Sequence, residues 1–349
     1  MTEAGAIEEP RSGERIRAFT PGDLAAVVRL WEASLGARYP LRADVLELSL
    51  AADPTTVVRA AVAELDGRID GFAFAGACDA GPPELETLRG RVWLQAVVVA
   101  PDRRRRGLGS ALARWVVELG RTSVAREVRA GGGLHYLWPG VPDDLPDAGA
   151  FLEALGFWFD PHVAFDLRGD VTGLGLDETT ERVLATEGST VVPARAADRD
   201  ALLAFILAEF GGEWWHDTRY FLDAGGDPAD LLLLIDAGRA IRGFVRIHTA
   251  LSRPLGWPMF WRAGAPDAGG LGPIGVAEAL RGRGLGRALL VSALDRLRAL
   301  GATDVVIDDT TLLGYYGPHG FSPWITYRHA ATPIGSLVAD PAAPTREDR

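Results

Sequence analysis

The sequence predicts an α/β protein built from two copies of one domain, and three observations carry the prediction. The first is a phrase written twice, Arg104 to Gly109 and Arg281 to Gly286. Each reads R-x-x-G-x-G, after a strand-like apolar run and before a helix-like one. The second is that the repeat reaches further: Gly107 and Gly284 stand 177 positions apart (284 − 107). The same offset carries Asp23, ahead of Leu24 to Val27, onto Asp200, ahead of Ala201 to Ala204. The third is size, because 349 residues with 48% hydrophobic content naturally divide into two domains with separate cores.

Each copy opens with a helix, for which Asp23 and Asp200 read as N-caps before an apolar stripe. A hairpin follows. In the first copy it runs from Val57 to Leu65, turns at Asp66-Gly67 and returns over Ile69 to Ala75. In the second it runs from Leu231 to Ile235, turns near Ala237-Gly238 and returns over Ile241 to His248. The next strand enters the arginine-glycine phrase. After it, Leu112, Trp115, Val116 and Leu119, and again Leu290, Ala293, Leu294 and Leu297, keep the i, i+3, i+4, i+7 spacing of a helix face. Val305 to Ile307 reads as a buried strand, and a Gly-Phe pair closes each copy, Gly156-Phe157 and Gly320-Phe321. The predicted domains are 14–168 and 190–336, joined by a Gly- and Thr-rich linker over 169–189, with loose ends at 1–13 and 337–349.

Composition excludes several chemistries. All 36 basic residues are Arg, since the chain has no Lys and also no Asn. Without Lys there is no Walker-type phosphate loop and no pyridoxal-phosphate Schiff base. The single cysteine, Cys78, rules out an internal disulfide and a multi-cysteine zinc site. His135, His162, His216, His248, His319 and His329 show no H-x-x-x-H spacing, so no metal is expected. A net charge of −11 argues against a general nucleic-acid binder and favours cationic small substrates. No apolar run approaches the ~20 residues of a membrane span. The polar start lacks a signal-peptide core, and a cytoplasmic location is expected.

The repeated phrase builds an anion cradle. Glycines let the backbone turn and present its N–H groups, the following helix adds its positive end, and arginines neutralise phosphate charge. A dinucleotide fold would need a third glycine at 112 and 289, where both residues are Leu.

Val99-Ala-Pro101 ahead of Arg104 to Gly109, Val276-Ala-Glu278 ahead of Arg281 to Gly286, and Tyr316-Gly-Pro-His-Gly320-Phe321 together resemble the GCN5-related N-acetyltransferases, over about 150 residues of each half. The resemblance implies two such domains, each a mixed, mostly antiparallel sheet flanked by helices, with acetyl-coenzyme A in a split between strands 4 and 5. Backbone groups of Ile274 and Val276 would pair with the pantetheine arm. Arg281, Gly282, Arg283, Gly284, Gly286 and Arg287 would hold the pyrophosphate. In the first copy the matching positions are Val97, Val99, Arg104, Arg105, Gly107 and Gly109, although the run Arg103 to Arg106 fits a solvated turn equally well.

The resemblance also implies a tyrosine four residues before Gly-Phe that protonates the departing thiolate. Tyr316 stands there in the second copy and Leu152 in the first, so chemistry is expected in the C-terminal domain and a degenerate site in the N-terminal one. The family's strand-4 carboxylate is missing from both, where Gln95 and Gly272 take its place. Asp308 and Glu213 are the candidate bases, and Asp309 reads as a cap for the next helix. Trp214, Trp215 and His216 are candidate acceptor contacts; aromatic clusters also serve as core packing. Trp138 and Tyr136, in an insertion over 131–147, suit a lid or packing role. The expected partner is a small primary amine bound by a monomer or homodimer, without nucleic acid, membrane or metal. A non-catalytic acyl-coenzyme A sensor is the alternative from another class.

Overall fold

The computed structural model of the chain describes residues 15–51, 55–78, 81–121, 124–134, 136–262 and 264–338. Residues 1–14 and 339–349, which hold nearly all of the two predicted loose ends, lie outside the described residues, as does His135. The chain divides into two units, Met1–Val163 with Tyr327–Arg349, and Ala164–Thr326.

Unit 1 runs β1 (Arg15–Ala18), α1 (Leu24–Leu35), α2 (Ala43–Leu50), β2 (Thr56–Leu65), β3 (Arg68–Cys78), β4 (Arg91–Val99), α3 (Leu108–Gly120), β5 (Glu127–Ala130), β6 (Val141–Pro142), α4 (Pro146–Ala154) and the start of β7 (Trp158–Asp170). Unit 2 takes β7 from Ala164 on. It continues through α5 (Glu178–Thr186), β8 (Ser189–Pro193), α6 (Arg199–Phe210), α7 (Gly212–Asp223), β9 (Leu231–Asp236), β10 (Ile241–Thr249), β11 (Ala268–Val276), α8 (Leu285–Ala299), β12 (Asp304–Thr310), α9 (Leu313–Tyr316) and the start of β13 (Ser322–Pro333). The rest of β13 and α10 (Ile334–Val338) belong to unit 1.

The sheet of unit 1 is ordered β1-β2-β3-β4-β5 and then the unit 1 part of β13, with Ala330 opposite Ala130. That of unit 2 is ordered β8-β9-β10-β11-β12 and then the unit 2 part of β7, with Val305 opposite Gly169. In both, neighbours are antiparallel except one parallel pair, β4 with β5 and β11 with β12. The sheets are therefore mixed and mostly antiparallel, as predicted.

Helix packing follows the apolar stripes. Leu112 and Val116 of α3 are fully buried over a sheet face of small residues, Ala61, Ala63, Ala73 and Ala75. Gly71 completes that face, since a methyl there would stand 2.6 Å from Leu112 Cδ1. In unit 2 the predicted stripe Leu290, Ala293, Leu294 and Leu297 of α8 is buried against Leu232, Val245 and Leu271.

Several predicted boundaries change. Residues 169–189, predicted as a linker, and 164–168, predicted in the N-terminal domain, are part of unit 2: Leu167 to Asp170 pair with β12, and α5 follows with its N-cap Asp177 accepting from the Thr180 N–H. Residues 327–336, predicted in the C-terminal domain, belong to unit 1, where Leu337 is also buried. A sheet takes its last strand by register, and contiguity in sequence does not reveal this. The N-cap of α6 is Asp198, so Asp200 falls in the first turn.

Candidate active site

The cleft of unit 2 begins where its parallel pairing ends. Strands β11 and β12 pair from Ala268↔Asp304 to Leu271↔Ile307, and beyond that β11 pairs only with β10, Val245↔Ile274 and Gly243↔Val276. Ile274 and Val276, the predicted cofactor-strand residues, lie on this stretch, whose other edge has left β12. The departure coincides with a bulge, because Arg246 of β10 alone opposes both Gly272 and Pro273.

The cradle lies at the end of that strand. Gly282 and Gly284 take left-handed backbone angles (φ +76° and +82°), and Gly284 is the N-cap of α8. Arg281 Nε donates to the Val276 carbonyl at 3.4 Å, tying the loop to the strand. Gly286 sits close to Tyr315, since a methyl there would lie 3.3 Å from its Oη. Arg283 and Arg287 face acidic partners from the segment predicted as linker, Glu187 at 3.4 Å and Asp177 at 2.5 Å. An N–H cradle, a helix entry and several guanidiniums fit a pyrophosphate.

Tyr316 ends α9, is 4% exposed, and crosses Tyr315 at a centroid distance of 4.8 Å. Burial raises its pKa above the usual tyrosine value, and the charges of Tyr315 and Asp308 raise it further. Burial also pushes Tyr315 up to about 12. Both phenols hold their protons at neutral pH. Asp308 lies against the bulge, where a methyl on Gly272 would stand 2.6 Å from its Oδ1. Asp308 thus lies at the end of the β11–β12 pairing, near enough to Tyr316 for its charge to act on the phenol.

Other predicted residues lie elsewhere. Glu213 is exposed on the first turn of α7. One turn later Asp217 is buried, with its carboxylate 3.3 Å from Arg246 Nη1. Trp214 packs into an apolar cluster with Phe210 (4.9 Å) and Phe244 (6.0 Å), the core role that aromatic clusters often have. Trp215 carries the Arg219 guanidinium 4.6 Å from its ring centre, and His216 is buried and stacked on Tyr220 at 6.4 Å. Asp309 is not a helix cap: it sits left-handed (φ +41°) in a bulge of β12, and the N-cap of α9 is Leu312.

Sequence reasoning passed over Arg246 and treated His248 as structural. Both are buried on β10, facing α7 and the bulge. Their signal is a charged residue and an imidazole at alternate positions of an otherwise apolar strand.

Unit 1 repeats the cleft without these groups. Strands β4 and β5 pair from Arg91↔Glu127 to Leu94↔Ala130, then separate beside a bulge at Gln95. Arg105 and Gly107 take the left-handed angles (φ +63° and +80°), and Arg104 Nε donates to the Val99 carbonyl at 3.1 Å, as Arg281 does to Val276. A cavity of about 550 Å³ lies there, lined by Val97, Val99, Arg104, Arg105, Gly107 and Gly109 among others. Leu152 and Trp138 also line it. Trp138 stacks on Trp31 at 5.2 Å, and Tyr39 meets it edge-on at 5.4 Å. Gln95 Nε2 donates to the Gly132 carbonyl at 2.7 Å. The insertion thus packs into its own unit.

The acetyltransferase (GNAT) family profile matches residues 24–157 and 199–321, one stretch in each unit. A mycothiol acetyltransferase of Nocardia farcinica is 27% identical over 278 residues, 75% of this chain and 78% of that protein. One of Salinispora arenicola is 30% identical over 243 residues, 65% of this chain and 69% of that protein. Among solved structures, a GCN5-related glucosamine N-acetyltransferase region of a fungal multi-domain GH3 β-N-acetylglucosaminidase superposes with a TM-score of 0.82 at 24% identity. The match covers 91% of this chain and 38% of that longer one. A tandem GNAT protein from the clavulanic acid biosynthesis pathway superposes with a TM-score of 0.64 at 19% identity, covering 92% and 99%. These two likenesses are of fold.

The chain belongs to the GCN5-related N-acetyltransferase family and is an N-acetyltransferase with two GNAT domains. The family generally uses acetyl-coenzyme A. No helix among the described residues is long and apolar enough to cross a membrane, and no cluster there has the ligands for a metal ion.

Proposed function

We propose that the protein transfers an acetyl group directly from acetyl-coenzyme A to a small primary amine, with the chemistry in unit 2 and a non-reacting cofactor site in unit 1. One observation carries this reading: Asp308 lies against Gly272 where β11 leaves β12, close enough for its charge to act on the buried Tyr316 phenol, while the matching positions of unit 1 are Gly131 and Leu152. Bound acetyl-coenzyme A supplies the acetyl group as a thioester. Gly282 to Arg287 hold its phosphates, and the free edge of β11 at Ile274 and Val276 takes its pantetheine arm.

The remaining work falls to side chains. An alkylamine with a pKa near ~10.4 arrives protonated, so its ammonium must be held and then relieved of a proton. Asp308 does both, pairing the cation and accepting the proton at its carboxylate. The freed amine nitrogen then attacks the thioester carbon, the C–S bond breaks as Tyr316 Oη gives its proton to the sulfur, and the second proton leaving the nitrogen returns to the phenolate, so that Tyr316 ends as it began. A raised phenol is a weak acid toward a thiolate of pKa ~8.5, so its proton moves as the C–S bond breaks and not before. The acceptor is best read as an aminosugar or an amino acid derivative. A mycothiol-synthase-like substrate is the alternative supported by the names of relatives that match three quarters of the chain.

The test is Tyr316→Phe, read as coenzyme A release with a panel of amines including glucosamine. Turnover should fall by about 10²–10⁴-fold while coenzyme A binding stays. Because the Tyr316 phenol keeps its proton well above pH 9, wild-type kcat should not decline on its account between pH 7 and 9. No release by the wild type with any amine would favour the acyl-coenzyme A sensor instead.

A further inference from the structure

We propose that His248 is a positioning residue that holds the mouth of the unit 2 cleft in register. The inference rests on the reading of that cleft as the active one. Where β11 leaves β12, the bulge sets Arg246 against both Gly272 and Pro273, and Pro273 has no N–H to offer the ladder. His248, two residues further along β10, places Nε2 3.0 Å from the Gly272 carbonyl. A carbonyl only accepts, so Nε2 carries the proton and Nδ1 the lone pair.

Among the described residues that lone pair has no partner, and it is walled off. A methyl on Gly256 would collide with the imidazole at Cε1 and Nδ1, so the 251–262 loop lies directly against the ring. Burial and the neighbouring Arg246 charge keep the ring neutral. A neutral imidazole whose only acceptor atom faces glycine does not serve as the base for an incoming amine. Its effect is mechanical: it grips the peptide from which the free edge at Ile274 and Val276 departs. The same Gly272 backs Asp308, so one hydrogen bond sets both the cofactor edge and the carboxylate.

Unit 1 supplies the contrast. Aligned by strand register, with Ala73↔Val97 matching Val245↔Ile274, its counterparts of Arg246 and His248 are Phe74 and Gly76. Among the described residues, no atom lies within 4 Å of where a Cβ on Gly76 would stand. The bulge residue there, Gln95, is held instead by its own side chain on Gly132. The strand-borne grip is present only in the unit that has Tyr316.

The experiment compares His248→Phe, His248→Gln and Gly256→Ala in the full chain. It reads ligand-free hydrogen exchange of the 270–276 segment together with kcat/KM for acetyl-coenzyme A. Phe fills the space without donating, and should raise exchange in 270–276 and lower kcat/KM about tenfold or more, the scale of one lost buried hydrogen bond. Gln offers an amide N–H and should recover both to within about threefold. Gly256→Ala, which displaces the imidazole while keeping it, should behave like Phe. Unchanged exchange and kcat/KM in His248→Phe, or equal losses in the Phe and Gln variants, would overturn the proposal. If the wild type proves inactive, the functional reading falls and the exchange data alone decide the role of His248.

Discussion

The two units share a loop and differ at nearly every polar position around it. In both, an arginine ties the loop back to its strand, a left-handed glycine caps the helix, and the parallel strands part beside a bulge. At the cleft, however, strand register matches Asp308 with Gly131, Arg246 with Phe74 and His248 with Gly76, while Leu152 stands where Tyr316 would be. Binding a phosphate needs mainly backbone, which survives side-chain drift; moving protons needs specific side chains in mutual register. A duplicated fold can thus keep the first ability after losing the second.

The largest test of that contrast takes a group away from unit 2 and then gives unit 1 one that it lacks. Asp308→Asn should lower kcat by about 10²–10⁴-fold, because an amide neither neutralises an ammonium nor takes its proton. Leu152→Tyr added to Tyr316→Phe should restore nothing measurable, since unit 1 still lacks a carboxylate at Gly131. Coenzyme A release by steady-state assay separates the outcomes, and recovery of even a tenth of wild-type turnover would show that the phenol alone distinguishes the units.

The next test concerns the insertion that packs into unit 1. Trp138 is 6% exposed between Trp31 and Tyr39, and Tyr39 Oη donates to Asp144 of the same insertion at 2.6 Å. Removing the indole should destabilise unit 1 by about 3–5 kcal/mol, the usual range for a buried tryptophan truncated to alanine. Denaturant unfolding of Trp138→Ala, with turnover measured in parallel, should show that loss with no new activity. A rise in turnover would mean that the insertion, rather than the missing side chains, keeps unit 1 silent.

Much of this contrast could be read from sequence, and the parts that could not have physical causes. Tyr316 against Leu152 stood out because the Gly-Phe pair gives a local ruler, and the arginine-glycine phrase because its spacing is dictated by a single turn. Arg246 and His248 did not stand out. The 177-residue offset that aligns the loops drops to 172 (246 − 74) along this strand, because the segments between strands 3 and 4 differ in length. A polar residue on an apolar strand could not then be compared with its counterpart. Glu213 was one helical turn from the carboxylate that does turn inward, Asp217, and only packing decides which face of α7 meets β10. The linker was misplaced for a similar reason: Gly173 and Gly175 read as flexible, yet Asp177 caps a helix that packs beside α8.

The smallest expected effect probes whether the two cradles are one structure. Gly282 of unit 2 and Arg105 of unit 1 occupy the same loop position and both are left-handed, at φ +76° and +63°. An L-residue with a Cβ pays about 1–2 kcal/mol for that conformation, and glycine does not. Arg105→Gly should therefore stabilise unit 1 by about 1 kcal/mol, partly offset by the greater freedom of glycine in the unfolded chain, and Gly282→Arg should destabilise unit 2 by a similar amount. None of the described residues lies within 4 Å of where a Cβ on Gly282 would stand, so the arginine has room and the cradle keeps its N–H groups. Coenzyme A affinity of Gly282→Arg, measured by calorimetry, should stay within about tenfold of wild type, the equivalent of about 1.4 kcal/mol. Complete loss of binding would show that the loops match in backbone angle but not in how they receive a phosphate. The cavity of unit 1 would then have to be occupied in some other way.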